Sequence, residues 1–216
     1  MIQAEPVAGM PALLARARAL ITPGCRRVLG IAGSPGAGKT TLATKVVDEL
    51  NCENGSPLAV HLPMDGFHLA NATLDHLGRR DRKGALDTFD GWGFVAILHR
   101  IRSEYANPVY APSFRRTVDE PIAAEIEVPA GTDLVVVEGN YLLVQDEPWN
   151  QVRQALDESW FCVTPAAERT ARLVQRHIRH GRSAAAAADW ARTVDGRNAV
   201  LIESTRSHAD LLVSGL

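Results

Sequence analysis

Eight consecutive residues, Gly33-Ser34-Pro35-Gly36-Ala37-Gly38-Lys39-Thr40, have the spacing G-x-x-x-x-G-K-[ST] of a phosphate-binding loop. The glycines let the backbone curl so that successive N–H groups point inward at phosphate oxygens. In that pattern Lys39 reaches the β- and γ-phosphates, and the Thr40 hydroxyl binds Mg²⁺. A helix opening at Lys39, with Thr41 in its first turn, aims its positive end at the same charges. Arg27-Val28-Leu29-Gly30-Ile31-Ala32 reads as a buried strand before the loop, and 41–50 as an amphipathic helix after it. The competing reading is a glycine-rich turn without a ligand. The strand–loop–helix context speaks against it.

Three acidic residues read as lying at the carboxyl ends of strands, where ligands of an open α/β sheet bind: Asp65, Asp90 and Glu138. Glu138 closes the apolar run Leu134-Val135-Val136-Val137, the place of an acid that holds Mg²⁺ or its water; the alternative is a solvated loop carboxylate. Asp65 has two readings of equal weight. It accepts the proton of an acceptor hydroxyl attacking the γ-phosphate, or it caps the helix that follows. Arg169, Arg172, Arg176 and Arg179 are spaced three, four and three, so they share one helical face. This reading finds no acid three or four residues from the last three inside their helix. Such a face either closes over the transferring phosphoryl group or is simply solvated. His68 and His177 sit beside this chemistry. His61, His76, His99 and His208 read as surface or packing residues.

The elements that must position these groups are mostly apolar strands alternating with helices. A helix near 11–21 precedes the loop strand, and 57–62 is a second short strand. The stretch 69–90 is polar, a helix plus a functional loop, and 94–105 is helical again. Pro108 and Pro112 bracket an extended piece, and 125–128, 134–137, 160–163 and 210–213 read as strands. A helix runs from the strand at 160–163 through about His180, and Ser183 caps an alanine-rich helix after it. The alternation implies an α/β fold with a mainly parallel central sheet and right-handed crossovers. At 216 residues, 46% hydrophobic and 22% charged, the chain reads as one domain over 1–216. A net charge of −2 makes no electrostatic case for nucleic acid, and no apolar run is long enough for a membrane span. Cys25, Cys52 and Cys162 lack metal-site spacing and read as reduced thiols, which points to the cytoplasm.

With these residues in view, the chain resembles the uridine kinase, phosphoribulokinase and bacterial pantothenate kinase superfamily of P-loop small-molecule kinases. It looks most like the short bacterial proteins labelled as fructose-transport-system or nucleoside kinases. The pieces run nearly end to end: the P-loop, Met-Asp-Gly-Phe-His at 64–68, Arg-Lys-Gly at 82–84 and Thr-Phe-Asp at 88–90. Tyr-Ala-Pro-Ser-Phe-Arg-Arg at 110–116, Val-Glu-Gly-Asn-Tyr-Leu-Leu at 137–143 and Arg-Leu-Val-Gln-Arg-His at 172–177 follow, with Asp195 and Asn198 near the end. The resemblance implies a three-layer P-loop NTPase fold with an arginine-bearing lid over about 166–182 and an acceptor region over about 65–128. It implies ATP and Mg²⁺, with Asp65 as the base that orients the acceptor hydroxyl and Glu138 serving the metal. Arg172 and Arg176 belong to the lid, Asp90 and His68 to the acceptor site, and Lys83, Arg116 and Tyr141 to its lining.

One departure is visible. The usual Phe-Asp-Arg appears as Phe114-Arg115-Arg116, which favours an acceptor with an anionic group or leaves Arg115 in solvent. The expected activity is phosphorylation of an alcohol on a small metabolite, with sugars, nucleosides and pantothenate all open. The short chain leans towards a sugar or a nucleoside. Phe67, Phe89, Trp92, Tyr110 and Phe114 cluster in the acceptor region without making an evident base-stacking pocket. The rival is a regulatory P-loop ATPase without a small-molecule acceptor; a GTPase is set aside because no Asn-Lys-x-Asp motif occurs. A homodimer is a possible assembly.

Overall fold

The computed structural model describes residues 6–7, 9–54 and 57–215. The chain opens with α1 (Met10–Leu20), β1 (Arg27–Ala32), α2 (Lys39–Asn54) and β2 (Ala59–Pro63), which runs into a 3₁₀ turn at Met64–Phe67. There follow α3 (Asn71–His76), α4 (Gly91–Ser103), β3 (Val109–Arg115) and β4 (Glu120–Val128). The remainder is β5 (Leu134–Gly139), α5 (Trp149–Ala155), β6 (Glu158–Val163), α6 (Ala166–Arg179) and α7 (Ala184–Trp190). A π-helical turn at Ala191–Asp195 then leads to α8 (Gly196–Ser204) and β7 (Leu211–Ser214).

β5 is buried at every position, as a strand covered by helices on both faces must be. It lies between β2 and β1 in a five-stranded sheet of order β2-β5-β1-β6-β7, all parallel. Alternate residues serve opposite layers. Leu134 and Val136 pack with Leu42 and Val46 of α2 and Leu13 of α1. Val135 and Val137 pack with Phe94 and Leu98 of α4 and Val152 of α5. Ala32 pairs with Gly139 and Pro63 with Glu138, so β1, β2 and β5 end level. The loop after β1, Asp65 and Glu138 therefore meet at one edge of the sheet.

The structure departs from the sequence reading in three places. α8 was not read from the sequence, whereas β3 and β4 form a separate antiparallel hairpin inside the 65–128 region read as the acceptor side. α5 was not anticipated, because at seven residues it shows only two turns of pattern, yet it buries Trp149, Val152 and Ala155. Asp90 does not end a strand: its carboxylate caps α4, accepting from the Gly93 N–H at 2.8 Å. Ser183 does cap α7, accepting from Ala186 N–H. Cys162 is a free thiol buried in β6, where burial pushes its pKa up to about 12. No helix among the described residues is long and apolar enough to cross a membrane.

The hairpin docks on the 3₁₀ turn through a backbone contact that only glycine permits. A Cβ on Gly66 would stand 2.1 Å from the Pro112 carbonyl oxygen. Gly66→Ala must push the hairpin off the turn. We expect a loss of about 1–3 kcal/mol, the usual cost of forced overpacking, seen as a lower midpoint in thermal unfolding.

Candidate functional site

The P-loop crosses from β1 to α2 with Gly36 and Gly38 at φ 78° and 91°, a region β-carbon-bearing residues avoid. Gly36 also needs its bareness for packing, since a Cβ there would lie 2.8 Å from the Arg169 carbonyl of α6. Gly33, Ser34 and Ala37 are buried behind the rim, while Pro35, Gly36, Gly38, Lys39, Thr40 and Thr41 line the cleft. Lys39 is only 7% exposed and donates to the Ser34 carbonyl at 3.1 Å and to Asn140 Oδ1 at 2.8 Å. Burial lowers its pKa, and the nearby Glu138 carboxylate opposes that.

Thr40 donates its hydroxyl to Glu138 Oε1 at 2.9 Å. Burial raises the Glu138 pKa, against the pull of Lys39 and Thr40. His61 Nε2 lies 3.9 Å from the same oxygen, and burial lowers its pKa to about 4, so the ring is neutral at pH 7. The donor set suits Mg²⁺. Among the described residues no three acidic, histidine or cysteine side chains gather as a metal cage. Mg²⁺ characteristically takes one or two protein oxygens and fills its shell with water and substrate phosphate. Thr40 and Glu138 are the two that would hold it.

Asp65 lies inside the 3₁₀ turn, whose first flanking residue is Pro63, and α3 is preceded by Ala70. It therefore caps neither, which removes one of its two readings. Its carboxylate accepts from Arg116 Nη2 at 3.2 Å. Burial pushes its pKa up, but His68, Arg116, Lys39 and Arg176 together outweigh that and hold the carboxyl below its usual range. His68 sits on the Asp65 carbonyl through Nδ1 at 2.8 Å, with its ring 4.0 Å from Phe89 and 4.7 Å from Phe114.

The basic stripe of α6 is divided. Arg169 is buried and turned away, donating to the Thr164 carbonyl at 3.2 Å and reaching Glu203 at 3.5 Å. Arg172, Arg176 and Arg179 face the cleft. The expectation of no acidic neighbour in this helix is wrong: Glu168, one turn before Arg172, forms an ion pair with it. Arg172 also reaches the Gly36 carbonyl at 3.4 Å. Arg176 has its pKa lowered by burial and by Arg116.

Of the other sequence candidates, Lys83 lines the cleft, donating to Asn71 Oδ1 at 2.6 Å and pairing with Asp119 at 3.1 Å. Asp90 and Tyr141 are not brought to it. Tyr141 is fully buried beneath the acceptor segment and donates to the Gly84 carbonyl at 2.7 Å; Asn198 donates to the same oxygen at 3.1 Å. Arg115 points outward to Glu125, and Trp92 and Tyr110 are exposed away from the cleft. Asn140, Asp119 and Trp190, which carries Arg182 over its ring at 3.9 Å, line the cleft without having been singled out. Asn140 had a signal, as the second residue after the acid that closes β5. The cleft encloses about 820 Å³ and is faced by eight lysines and arginines against four carboxylates, in a chain of net charge −2. Such a surplus collects anions.

Comparison with known proteins agrees with this geometry. The model of the phosphoribulokinase / uridine kinase family matches residues 28–216. A Schizosaccharomyces pombe protein named provisionally as a uridine kinase is 30% identical over 184 residues, 83% of this chain and 78% of its own. Escherichia coli YggC is 32% identical over 193 residues, 89% and 79% of the two chains. A crystal structure from Silicibacter sp. TM1040, named provisionally as a fructose transport system kinase, superposes with a TM-score of 0.87. It is 36% identical, with 95% of this chain and 99% of that one covered. The chain is thus a phosphotransferase that acts on an alcohol group of a small molecule with ATP as donor, and it belongs to the phosphoribulokinase / uridine kinase family.

Proposed function

We propose that this kinase transfers the γ-phosphoryl group of Mg-ATP to a hydroxyl of a sugar-like or other polyhydroxylated metabolite, with Asp65 as the base. The observation that carries the reading is the meeting of Lys39, the Thr40–Glu138 pair and Asp65 at one edge of the sheet, facing one cleft. Lys39 and the loop amides would take the phosphates, and Thr40 with Glu138 would hold Mg²⁺, which would supply neutralising charge to the transferring group. Asp65 accepts a hydrogen bond from the acceptor hydroxyl and draws it into line. Arg172 and Arg176, on a lid spanning about 166–182, stabilise the charge that spreads over the transferring group. The acceptor enters from the side formed by about 65–128. Most of the rate then comes from positioning and fixed charge. Excluding water matters because an open site would spend ATP on hydrolysis.

Two substitutions test the assignment. Asp65→Asn keeps the shape of the side chain and removes the base. Acceptor-dependent ADP release should fall about 10²- to 10⁴-fold, while ATP affinity measured by calorimetry stays within a few-fold. Glu138→Gln leaves the Thr40 contact but removes the charge, so half-maximal turnover should need several-fold more Mg²⁺. An unchanged Mg²⁺ requirement would remove Glu138 from the metal site.

A further inference from the structure

The carboxylate assigned as the base is already engaged. Arg116, in the turn between β3 and β4, donates to Asp65 through Nη2 at 3.2 Å; among the described residues this is its one ion pair, and its side chain is 46% exposed. An acceptor hydroxyl approaching Asp65 competes for the same oxygens. If Arg116 yields, it is left beside Arg176, whose own guanidinium Arg116 already disfavours, and close to other cleft cations. Half in solvent, that guanidinium is met by water when it leaves Asp65, and among these cations an arriving oxyanion can replace that water with a charge-assisted pair.

The surroundings make the same point. Lys83 is nearly buried, and it shares the Asp119 carboxylate with Arg80, which stands 3.7 Å from it. Asp75 lies 3.9 Å from Arg80, outside the cleft. The acceptor end thus holds Arg80, Lys83 and Arg116 against Asp65 and Asp119, and Asp65 is the one the reaction needs. The aromatic wall offers little to a nucleobase, because Phe114 already has Lys83 at 4.9 Å and His68 at 4.7 Å against its ring.

We propose that the acceptor is a small alcohol carrying an oxyanion, a carboxylate or a phosphate monoester, and that Arg116 leaves Asp65 to bind that oxyanion. This rests on the reading of Asp65 as the base. Arg116 then acts as a specificity gate: a neutral alcohol leaves the guanidinium on Asp65, whereas an anionic one draws it away and frees the carboxylate.

The test uses matched pairs in an Mg-ATP coupled assay: glycerate with glycerol, gluconate with glucose, pantothenate with pantothenyl alcohol, and ribose 5-phosphate with ribose. Turnover should favour the anionic member of a pair by at least about 10-fold in kcat/KM, and which pairs respond separates carboxylate from phosphate. Arg116→Gln should raise the KM for that acceptor about 10- to 100-fold without moving the KM for ATP, and Arg116→Lys should recover part of the loss. In a second arm, protein saturated with Mg²⁺ and a non-hydrolysable ATP analogue is titrated with malonate or inorganic phosphate. One of these should raise the melting temperature in the wild type and neither should in Arg116→Gln. Equal turnover of a neutral member, an Arg116→Gln effect on kcat common to both members, or no anion-dependent shift in the loaded protein would each overturn the proposal. Turnover indifferent to every acceptor and to Asp65→Asn would instead remove Asp65 as the base, and this inference with it.

Discussion

A full positive charge at 7% exposure constrains everything around it, and here that charge is the Lys39 ammonium. Desolvating an ammonium costs several kcal/mol unless hydrogen bonds and a counter-charge replace water. The Ser34 carbonyl and the Asn140 amide oxygen provide the first, and Glu138 provides the second. Ser34 belongs to the loop after β1, whereas Asn140 and Glu138 belong to the end of β5. The two strands must therefore be neighbours, parallel and level, and the pairing of Ala32 with Gly139 makes them so. The unbroken apolar character of β5 follows, because a strand in the middle of a two-sided sheet has no solvent face to give away. An incoming phosphate finds donors already desolvated and aimed, with little left to reorganise.

The same placement explains why Glu138 is held in an ambivalent state. Burial favours its neutral form, and Lys39 with the Thr40 hydroxyl favours the charged one. A divalent cation arriving with ATP would settle that balance towards the carboxylate. Asp65 differs. Four positive or polarised neighbours outweigh its burial, so it is kept as a carboxylate, at some cost in basicity. For the role proposed for Asp65 this cost is small, because in a loose, largely dissociative transition state orienting the hydroxyl matters more than a strong base.

Much of this was legible in the sequence where the signal is local. The limits of β1 were read to the residue, and β5 and the start of α2 follow from an apolar run and a loop of fixed spacing. What failed was information that only packing supplies. Asp90 stands three residues before Gly93, at the start of an apolar period, which is a cap signature as much as a strand end. The choice between these is made by where β2 and α4 lie. Tyr141 sits in the motif after β5, yet its side chain turns inward beneath Gly84 because the strand end dives under the acceptor segment. The Glu168–Arg172 pair is a different case: the spacing of four was present in the sequence, and the reading overlooked it.

A chain of contacts joins the two halves of the cleft. On α6, Arg169 is fixed by Thr164 and Glu203 at the root of the helix, so the residues beyond it, Arg172 and Arg176, are carried on an anchored base. Further along, His177 Nε2 meets Asp195 Oδ2 at 2.7 Å, which ties the helix to the π-helical turn. A π-helical turn carries one more residue than the α-helical pattern around it, which re-aims the side chains that follow, and such turns are often found at functional sites. Three residues on, Asn198 holds the Gly84 carbonyl beside Lys83. The arginine-bearing helix is thus linked through Asp195 and Asn198 to the segment that carries Lys83. Helix and segment share one hydrogen-bonded frame around the cleft.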